Sequence, residues 1–448
     1  MAQKLFGTDG IRAVAGHYPL DYSSICVLGG ALVRLLRGKG LEPHILIGRD
    51  TRESGPWMEK ALVQGILEAG GEPAAAGVIP TSAVSYLARK GTFSAGIVIS
   101  ASHNPFRDNG IKVFSHEGIK IPDQWEAELE ASILGTWEEK TPGALTSAPD
   151  PGFAEDYAAY LKSRFGGSGT GRKLRVVLDC ANGASSVIGP RVFRDLGFDV
   201  VSIHGSPDGT NINSGCGSLH PEGLARAVVE VKADLGVAYD GDADRAVWAD
   251  ENGRILNGDH TLFVQALDMK SAGRLRLGLV VATTMSNMGL EKALERAGIG
   301  LVRTRVGDKY VYEEMAGRGA NLGGEQSGHT IFLDDFTTGD GILTSLKMAE
   351  TMIRSGRPLS ALVRDLVEYP QTLVNVRVAR KPDFKEFPEI GEAVRKAMKR
   401  LGGEGRLDLR YSGTEPLARV MVEARDRGLV ESCAAMVAEA VRKNLGEK

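Results

Sequence analysis

Short apolar runs that end in a polar or glycine-rich turn recur along the chain, and helical patterns follow them. The runs end at Asp50, Ser100, Asp179, Asp240 and Thr284. Each run predicts a buried strand whose carboxyl end delivers polar side chains to one edge of a sheet. Amphipathic stretches between the runs predict helices, at 21–37, 186–196, 224–231, 288–297 and 339–354. Alternating strands and helices favour an α/β fold.

Composition divides the chain into four units, for which we predict the ranges 1–150, 151–251, 252–368 and 369–448. The segment 135–152 is rich in Thr, Pro and Gly and predicts a linker. A helix around 153–165 opens the second unit, and the turn at 251–253 opens the third. After Pro370 the pattern changes to three strands with two helices, which predicts a smaller α+β unit.

The overall composition is that of an ordinary globular protein. The 448 residues include 54 Lys and Arg against 57 Asp and Glu, a formal charge of −3, and no block of cations. Nucleic-acid binding is therefore not expected, because it needs clustered cations. Neither a long apolar segment nor an N-terminal signal core is visible, so no membrane span is expected. The four cysteines lie far apart, which favours reduced thiols and a cytoplasmic location.

Glycine is the unusual residue in this composition. There are 57 glycines, about one residue in eight, where ~7% is typical. Such a surplus predicts many tight turns and close approaches of backbone to ligands.

The first candidate for chemistry is the serine-rich turn SASHNP at 100–105, which directly follows the apolar run GIVIS. A serine in this place is held rigidly with its oxygen exposed, although a helix cap or turn serine is the simpler alternative. The GxSxG motif of hydrolases is absent, which argues against an acyl-transfer triad.

The second candidate is the loop DGDADR at 240–245. Asp240, Asp242 and Asp244 alternate along a tight loop, so their carboxylates can converge on one hard divalent cation. A calcium EF-hand is an alternative because Glu251 falls at loop position twelve. However, position six is Arg245 where Gly is required, and the flanks predict strands rather than helices. A solvated acidic turn is the other alternative, which the apolar run LGVAY before the loop disfavours.

Two further loops carry polar groups suited to a sugar phosphate. The loop GGEQSGH at 323–329 combines glycines with partners for hydroxyl groups, and the nearby TTGDG at 337–341 predicts a helix start with Thr338 as the cap and Asp340 in the first turn. The loop RYSGTEP at 410–416, with Arg419 beyond it, predicts a phosphate cradle. A plain hairpin loop is the alternative for this last segment.

These segments, in this order, resemble the α-D-phosphohexomutase superfamily over essentially the whole chain. The resemblance extends to FGTDGIR at 6–12, ISASHNP at 99–105 with DNGIK behind it, NIN at 211–213 with CGS and His220, and GDKYV at 307–311. The loops GGEQSGH and TTGDG are more similar to the branch that acts on glucosamine phosphates than to the phosphomannomutase/phosphoglucomutase branch. The resemblance implies four domains around a central cleft: three similar α/β domains with mixed sheets and a smaller C-terminal α+β domain.

The resemblance also implies a role for each candidate residue. Ser102 would carry the transferred phosphoryl group, and Asp240, Asp242 and Asp244 would hold one Mg²⁺ together with an oxygen of phosphorylated Ser102. Lys112, Arg12 and His329 would stand near the reacting hydroxyl, and Arg245 would lie near the transferring charge. Substrate contacts would come from Glu325, Ser327, Arg410, Ser412, Gly413, Thr414 and Arg419.

The implied reaction interconverts glucosamine 6-phosphate and glucosamine 1-phosphate through a phosphoserine and a 1,6-bisphosphate, which serves as intermediate and activator. The product would feed UDP-N-acetylglucosamine synthesis. Other expected partners are a kinase or bisphosphate that primes Ser102, and a second copy of the chain in a homodimer.

Three alternatives stay open at this stage. One is a phosphomannomutase/phosphoglucomutase of the same superfamily. Another is a haloacid-dehalogenase-like enzyme, since an apolar strand followed by Asp240 and Asp242 imitates its aspartyl nucleophile. The third is a sugar-phosphate sensor without catalysis.

The sequence also departs from the superfamily pattern at a few positions. Ala243 stands where Gly is common in the metal loop, so a negative φ is expected there. Ala13 replaces a frequent Gly, and Tyr411 precedes the Ser-Gly-Thr segment. None of these departures removes a functional group.

Overall fold

The computed structural model describes residues 4–135, 137–143, 147–166, 173–412 and 416–446. Within these residues the chain forms four sheets and divides into two compact units. The first unit contains residues 1–285 and 298–364, and the second contains 286–297 and 365–448.

The first sheet has six strands and mixed direction. Strands pair in the order β1-β2-β6-β5-β3-β4; β3 is parallel to β4 and β5, and the other neighbours are antiparallel. Its elements are β1 (Phe6–Gly7), β2 (Gly10–Val14), α1 (Tyr22–Gly38), β3 (His44–Arg49), α2 (Gly55–Glu68), β4 (Glu72–Val78), α3 (Thr81–Leu87), a π-helical turn (Ala88–Thr92), β5 (Ala95–Ile99), β6 (Asp108–Ser115) and α4 (Asp123–Leu134). The apolar runs of β3 and β5 are buried along the middle of this sheet, so their carboxyl ends carry polar residues out of the core.

The second sheet has five strands in the order β11-β10-β9-β7-β8, with β7 parallel to β8 and β9 and an antiparallel hairpin at the other edge. Its elements are α5 (Gly152–Ser163), β7 (Arg175–Asp179), α6 (Ser185–Asp195), β8 (Asp199–Ile203), a 3₁₀ turn (Gly217–Leu219), α7 (Glu222–Glu230), β9 (Leu235–Tyr239), β10 (Ala246–Asp250) and β11 (Ile255–Leu256). The aspartate loop is the turn between β9 and β10, both of which are fully buried strands.

The third sheet has four strands in the order β13-β12-β14-β15 and is again mixed. Its elements, with one helix of the second unit among them in chain order, are α8 (Gly258–Ser271), a 3₁₀ turn (Arg276–Gly278), β12 (Leu279–Thr283), α9 (Met288–Arg296), β13 (Gly300–Thr304), α10 (Asp308–Arg318), β14 (Leu322–Gly324), β15 (Thr330–Phe332), α11 (Gly341–Ser355) and α12 (Leu359–Leu362). The cap of α11 differs from our prediction: Asp340, not Thr338, is the N-cap, and its carboxylate accepts the Leu343 N–H at 2.9 Å. Asp is a good cap because its short side chain reaches back to the first free N–H groups.

The second unit is built on an antiparallel sheet in the order β16-β18-β17. Its remaining elements are β16 (Gln371–Arg377), a 3₁₀ turn (Phe384–Glu386), α13 (Pro388–Leu401), a 3₁₀ turn (Gly402–Glu404), β17 (Gly405–Tyr411), β18 (Leu417–Ala424) and α14 (Arg427–Leu445). Helix α9 belongs to this unit although it lies between β12 and β13 in sequence, and Glu423 of β18 accepts its first N–H, that of Met288, at 3.0 Å.

The predicted fold class is confirmed: three α/β domains with mixed sheets and a smaller α+β domain. All four cysteines are buried and free. Among the described helices, none is both long enough and apolar enough to cross a bilayer.

Candidate active site

The serine turn follows β5 and leads into β6. Ser102 is fully buried, and its backbone lies in the left-handed region with φ of +53°. Its Oγ donates a hydrogen bond to Asp240 Oδ2 at 2.5 Å, and Nδ1 of His103 lies 3.2 Å from the same oxygen. The end of β5 in the first domain and the end of β9 in the second therefore bring a serine and a carboxylate into direct contact.

The aspartate loop places three buried carboxylates together. Asp240, Asp242 and Asp244 each offer an oxygen, and these oxygens lie within 4.8 Å of one another. The Oδ1 atoms of Asp242 and Asp244 are buried and accept no hydrogen bond from any residue that the structure describes. Buried acceptors without partners are costly in a folded protein. The donor set is all oxygen and carries negative charge, so these residues fit a hard divalent cation.

Burial makes the three carboxylates unequal. Burial, followed by the neighbouring carboxylates of Asp244 and Asp242, raises the pKa of Asp240 well above its usual range. Burial also acts to raise the pKa of Asp242, but the Lys112 ammonium overcomes it and holds that pKa below its ordinary value. A bound cation would stabilise the ionised form of all three.

Lys112 is the ammonium group closest to this loop and is itself almost fully buried. Its Nζ lies 2.8 Å from Asp242 Oδ2, 3.3 Å from Asp244 Oδ2 and 3.1 Å from Asp9 Oδ2. Burial acts to lower the pKa of Lys112, but the three carboxylates raise it well above the usual value. These carboxylates therefore stabilise the charged form of Lys112 beside the aspartate loop.

Asp9 links Lys112 to a second group of charges. Its carboxylate also binds the Arg12 guanidinium, and its Oδ1 lies 2.5 Å from Nζ of Lys120. Lys120 in turn lies 2.6 Å from Asp308 Oδ1. Burial acts to raise the pKa of Asp9, but the cations Lys112, Lys120 and Arg12 hold it well below its usual range.

Arg245 closes the other side of the aspartate loop. Its Nε lies 3.9 Å from Asp240 Oδ2 and 3.8 Å from Asp244 Oδ1, and burial lowers its pKa less than these two carboxylates raise it. The Arg245 charge also affects His103. Burial lowers the pKa of His103, and the positive charges of Arg245 and Arg12 lower it further, to about 4.

The glycine-rich loop 323–329 lies directly beside the aspartate loop. The Ala246 N–H donates to the Gly328 carbonyl at 3.2 Å, and Arg245 and His329 form a backbone bridge. Nε2 of the buried His329 accepts the Gly339 N–H at 3.1 Å, and its Nδ1 is buried with no hydrogen-bond partner in the described part of the chain. Ser327 is exposed at the tip of the loop.

Glu325, which begins the polar part of the same loop, holds a neighbouring turn. Its Oε1 accepts the Gly307 N–H at 3.0 Å. Gly307 has φ of +129°, which favours glycine, and it directly precedes α10 and Asp308.

The predicted phosphate cradle lies in the second unit. Arg410 and Arg419 are directly opposite each other on β17 and β18, so their side chains leave the same face of the sheet. The Ser412 N–H donates to the Leu417 carbonyl at 2.8 Å, and Lys381 Nζ donates to the Ser412 carbonyl at 2.6 Å. Gly413 and Thr414 lie outside the described residues.

The structure removes the basis for a calcium EF-hand. The carboxylate of Glu251 accepts hydrogen bonds from the N–H and hydroxyl of Ser360, 109 positions away, and both flanks of the aspartate loop are strands. One backbone expectation was wrong: Ala243 has φ of +61°, not a negative value. An alanine in this region costs about 1–2 kcal/mol, which the packing of the loop must offset.

The sequence analysis gave no role to several residues around the serine, although two of them, Asp9 and Asn213, lie in motifs that carry the resemblance. Thr81 Oγ1 donates to Asp242 Oδ2 at 2.6 Å, Asp9 bridges Lys112 and Lys120, and Arg52 and Asn213 bind the backbone of the serine turn. Asp9 lies in a Gly-Thr-Asp-Gly segment and Arg52 lies three positions after the end of β3, and these local signals could have indicated them.

Four family models match successive parts of the chain. They describe the α/β/α domains I, II and III and the C-terminal domain of phosphoglucomutase/phosphomannomutase, over residues 3–139, 155–253, 257–369 and 373–440. A phosphoglucosamine mutase of Koribacter versatilis is 49% identical, over 99% of this chain and 98% of its own. Other full-length relatives with the same name are 44–48% identical.

Solved structures share the fold at lower identity. A phosphoglucomutase/phosphomannomutase family protein from Burkholderia thailandensis has a TM-score of 0.81 at 24% identity and covers 100% of both chains. N-acetylphosphoglucosamine mutase of Aspergillus fumigatus, solved with GlcNAc-6P and magnesium, has a TM-score of 0.69 at 20% identity and covers 98% of this chain and 95% of its own. The same A. fumigatus enzyme solved with glucose 1,6-bisphosphate has a TM-score of 0.66 at 19% identity, covering 100% and 96%.

The chain therefore belongs to the phosphoglucomutase/phosphomannomutase family of the α-D-phosphohexomutase superfamily, and its class is that of an isomerase that moves a phosphoryl group. Within that family it is similar over its whole length to the phosphoglucosamine mutases.

Proposed function

We propose that the chain interconverts glucosamine 6-phosphate and glucosamine 1-phosphate, with Ser102 as the residue that carries the phosphoryl group. The observation that carries this proposal is the 2.5 Å contact between Ser102 Oγ and Asp240 inside a buried group of three carboxylates. The name shared by the full-length relatives supports the choice of an amino sugar.

Asp240, Asp242 and Asp244 would hold one Mg²⁺, which draws charge from the transferring phosphoryl group when it is bound. The Oδ1 atoms of Asp242 and Asp244 support this role, because both are buried and neither accepts a hydrogen bond from the described residues. Lys112 then adds a fixed positive charge beside the phosphate oxygens, and Arg12 and Arg245 extend that charge on either side.

The proposed reaction has two half-reactions that use the same serine. Phosphorylated Ser102 gives its phosphoryl group to the anomeric hydroxyl of glucosamine 6-phosphate, which loses its proton, and a 1,6-bisphosphate forms. This intermediate turns end for end, and the Ser102 hydroxyl takes the phosphoryl group from the 6-position. Glucosamine 1-phosphate is released, and the phosphoserine is restored.

His329 is our candidate for proton transfer at the sugar hydroxyl. Because its Nε2 accepts the Gly339 N–H, the neutral ring carries its proton on Nδ1. That atom is buried and has no partner within the described residues, so it is available to a substrate oxygen. Lys112 and Arg12 would act through their charge.

The remaining predicted residues would bind the substrate. Glu325 and Ser327 would meet sugar hydroxyls, and the non-reacting phosphate would be bound by Arg410, Ser412, Gly413, Thr414 and Arg419. The two arginines support this assignment because they lie directly opposite each other on neighbouring strands, so one phosphate can contact both guanidinium groups.

Several partners complete the proposal. A hexose or glucosamine 1,6-bisphosphate or a kinase would prime Ser102, and the product would feed UDP-N-acetylglucosamine synthesis. The four buried free thiols support a reducing, cytoplasmic location. A homodimer and domain boundaries after residues 150, 251 and 368 stay part of the proposal.

The test compares kcat/KM of the Mg²⁺-loaded protein on the 6-phosphates of glucosamine, glucose and mannose, with the bisphosphate primer present. We expect the highest value for glucosamine 6-phosphate. Ser102→Ala should bind this substrate but lose turnover by at least about 10⁴-fold, because it lacks the acceptor oxygen. Preference for mannose or glucose would assign the chain to the other branch, and turnover by Ser102→Ala would refute the serine.

A further inference from the structure

Arg52 is an arginine with no exposed surface, and every N–H of its guanidinium has an acceptor. Nε donates to Asp50 Oδ2 at 2.9 Å. The two terminal nitrogens donate to backbone carbonyls, those of Pro105 and Asp108 from Nη1, at 2.5 and 3.0 Å, and those of Ser102 and Asn104 from Nη2, at 3.0 and 2.9 Å. A fully buried arginine is rare unless its charge and donors are matched in this way.

Three of the four carbonyl acceptors belong to the turn between β5 and β6 that carries Ser102, and the fourth is that of Asp108, the first residue of β6. One planar group thereby fixes the path of seven successive residues, 102–108, through the backbone. Only an arginine has five donors in a rigid fork, whereas a lysine has three on a single atom. The identity of residue 52 therefore determines how much of the turn is held.

The backbone of Ser102 needs such support. Its φ of +53° lies in the left-handed region, where a serine pays about 1–2 kcal/mol. Its N–H donates to Ser100 Oγ at 2.9 Å, and Ser100 Oγ donates to Asp50 Oδ2 at 2.6 Å. Because Asp50 binds Arg52, the N–H and the carbonyl of Ser102 are both tied to the same buried ion pair. Strained backbone of this kind persists when the surroundings over-determine it.

A second donor reaches the same carbonyls from another domain. Nδ2 of Asn213 donates to the carbonyls of Ser102 at 2.9 Å and Asn104 at 3.2 Å. Asn213 also lies in the left-handed region, with φ of +58°, which asparagine tolerates better than most residues. The backbone of the aspartate loop also lies close to the serine turn. A Cβ on Gly241 would lie only 2.6 Å from the Ser102 carbonyl oxygen.

We propose that Arg52 and Asn213 are positioning residues that hold the Ser102 turn, so that Oγ faces Asp240 in the orientation needed for phosphoryl transfer. This inference rests on the proposed function of Ser102. Arg52 and Asn213 act on the peptide groups around Ser102, and the structure places neither beside the Ser102 Oγ. They should therefore affect the rate of the chemical step rather than substrate binding.

The first variant is Arg52→Lys, with Arg49→Lys as the matched control. Arg49 is the last residue of β3, three positions before Arg52, and its side chain pairs with Glu59 at 3.1 Å, outside the serine turn. We expect Arg52→Lys to lower kcat by roughly 100-fold, the cost typical of a small misplacement of a reacting group. KM should stay within about threefold of wild type, because uniform binding is untouched. A kcat for Arg52→Lys equal to that of Arg49→Lys would overturn the proposal.

The second variant, Asn213→Gly, decides the matter even if Arg52→Lys does not fold. Glycine keeps the left-handed backbone of residue 213 and removes only the amide donor. We expect kcat to fall by about tenfold, since the remaining donor holds the same carbonyls, at unchanged KM and melting temperature. Unchanged kcat would remove Asn213 from the proposal, and a parallel rise in KM would make its role one of substrate binding.

The rate at which glucose 1,6-bisphosphate phosphorylates Ser102 gives an independent readout, measured by intact mass in each variant. It should fall with kcat in both variants. Failure of the proposed function is distinct, because wild-type protein would then convert none of the hexose phosphates. If the wild-type protein is active and both Arg52→Lys and Asn213→Gly are fully active, the positioning role of Arg52 and Asn213 is refuted while the proposed function stands.

Discussion

Lys112 shows how one buried side chain can serve both the fold and the proposed chemistry. Its ammonium contacts Asp242, Asp244 and Asp9, so it neutralises part of the charge that the aspartate loop concentrates. Within the described residues, the loop still has two buried carboxylate oxygens without hydrogen bonds. Lys112 therefore satisfies only part of the loop, and the remaining oxygens fit a divalent cation.

The aspartate loop leads to a prediction for metal affinity. Asp242→Asn keeps the size of the side chain but removes one charge, so it should weaken Mg²⁺ binding by at least about tenfold, because the number of charged oxygen ligands sets affinity for hard cations. Glu251→Gln is the control, since that carboxylate binds Ser360 instead. Calorimetric titration with Mg²⁺ measures both, and equal affinity in the two variants would contradict the assignment.

At this scale the sequence predicted residue types better than backbone detail. The order Asp240, Asp242, Asp244 after an apolar strand indicated a cation site, because local spacing sets that geometry. Arg52 was not predicted, since its acceptors lie 50 to 56 positions away and no local pattern connects them. The positive φ of Ala243 was missed because alanine normally avoids it.

At the scale of elements, strand ends and helix starts place the functional groups. β5 and β9 deliver Ser102 and Asp240 at their carboxyl ends, as parallel strands in α/β sheets do. These strands were predictable from their unbroken apolar runs. The start of α11 was not, because Thr338 and Asp340 are both good caps and only tertiary packing decides between them.

Asp340, the cap of α11, makes stability depend on pH. Burial raises its pKa from 3.8 to about 6. Between these pH values the folded protein binds a proton that the unfolded chain has lost. The free energy of unfolding therefore falls as pH rises from 3.8 to about 6, and it stays at the lower value above pH 6. A shift of this size corresponds to about 3 kcal/mol.

Asp340→Asn should therefore remove this decline. We expect the free energy of unfolding of the variant, relative to wild type, to rise by up to about 3 kcal/mol between pH 4 and pH 7. Urea unfolding at unit steps of pH measures it. Asp426→Asn is the control, because that cap of α14 is exposed. A constant difference between Asp340→Asn and wild type at every pH would contradict the titration of Asp340 in this range.

At the scale of the whole molecule, each of the four domains carries one motif, and the proposed cycle assigns a task to each motif. Their order along the chain was enough to predict the superfamily and the fold class, because each motif combines several residue types at fixed spacing. The grouping of α9 with the second unit was not predictable, since its sequence pattern is that of any amphipathic helix. One of its contacts with the rest of that unit is to Glu423, 135 positions beyond Met288.

Transfer of labelled phosphate from Ser102 to the sugar tests the central claim most directly. Protein carrying ³²P on Ser102 is mixed with unlabelled glucosamine 6-phosphate and Mg²⁺. We predict that acid-stable label leaves the protein and appears in glucosamine 1,6-bisphosphate and the glucosamine monophosphates at the rate of turnover. Label that stays on Ser102 during turnover, or an acid-labile phosphate on Asp240 in its place, would contradict the account.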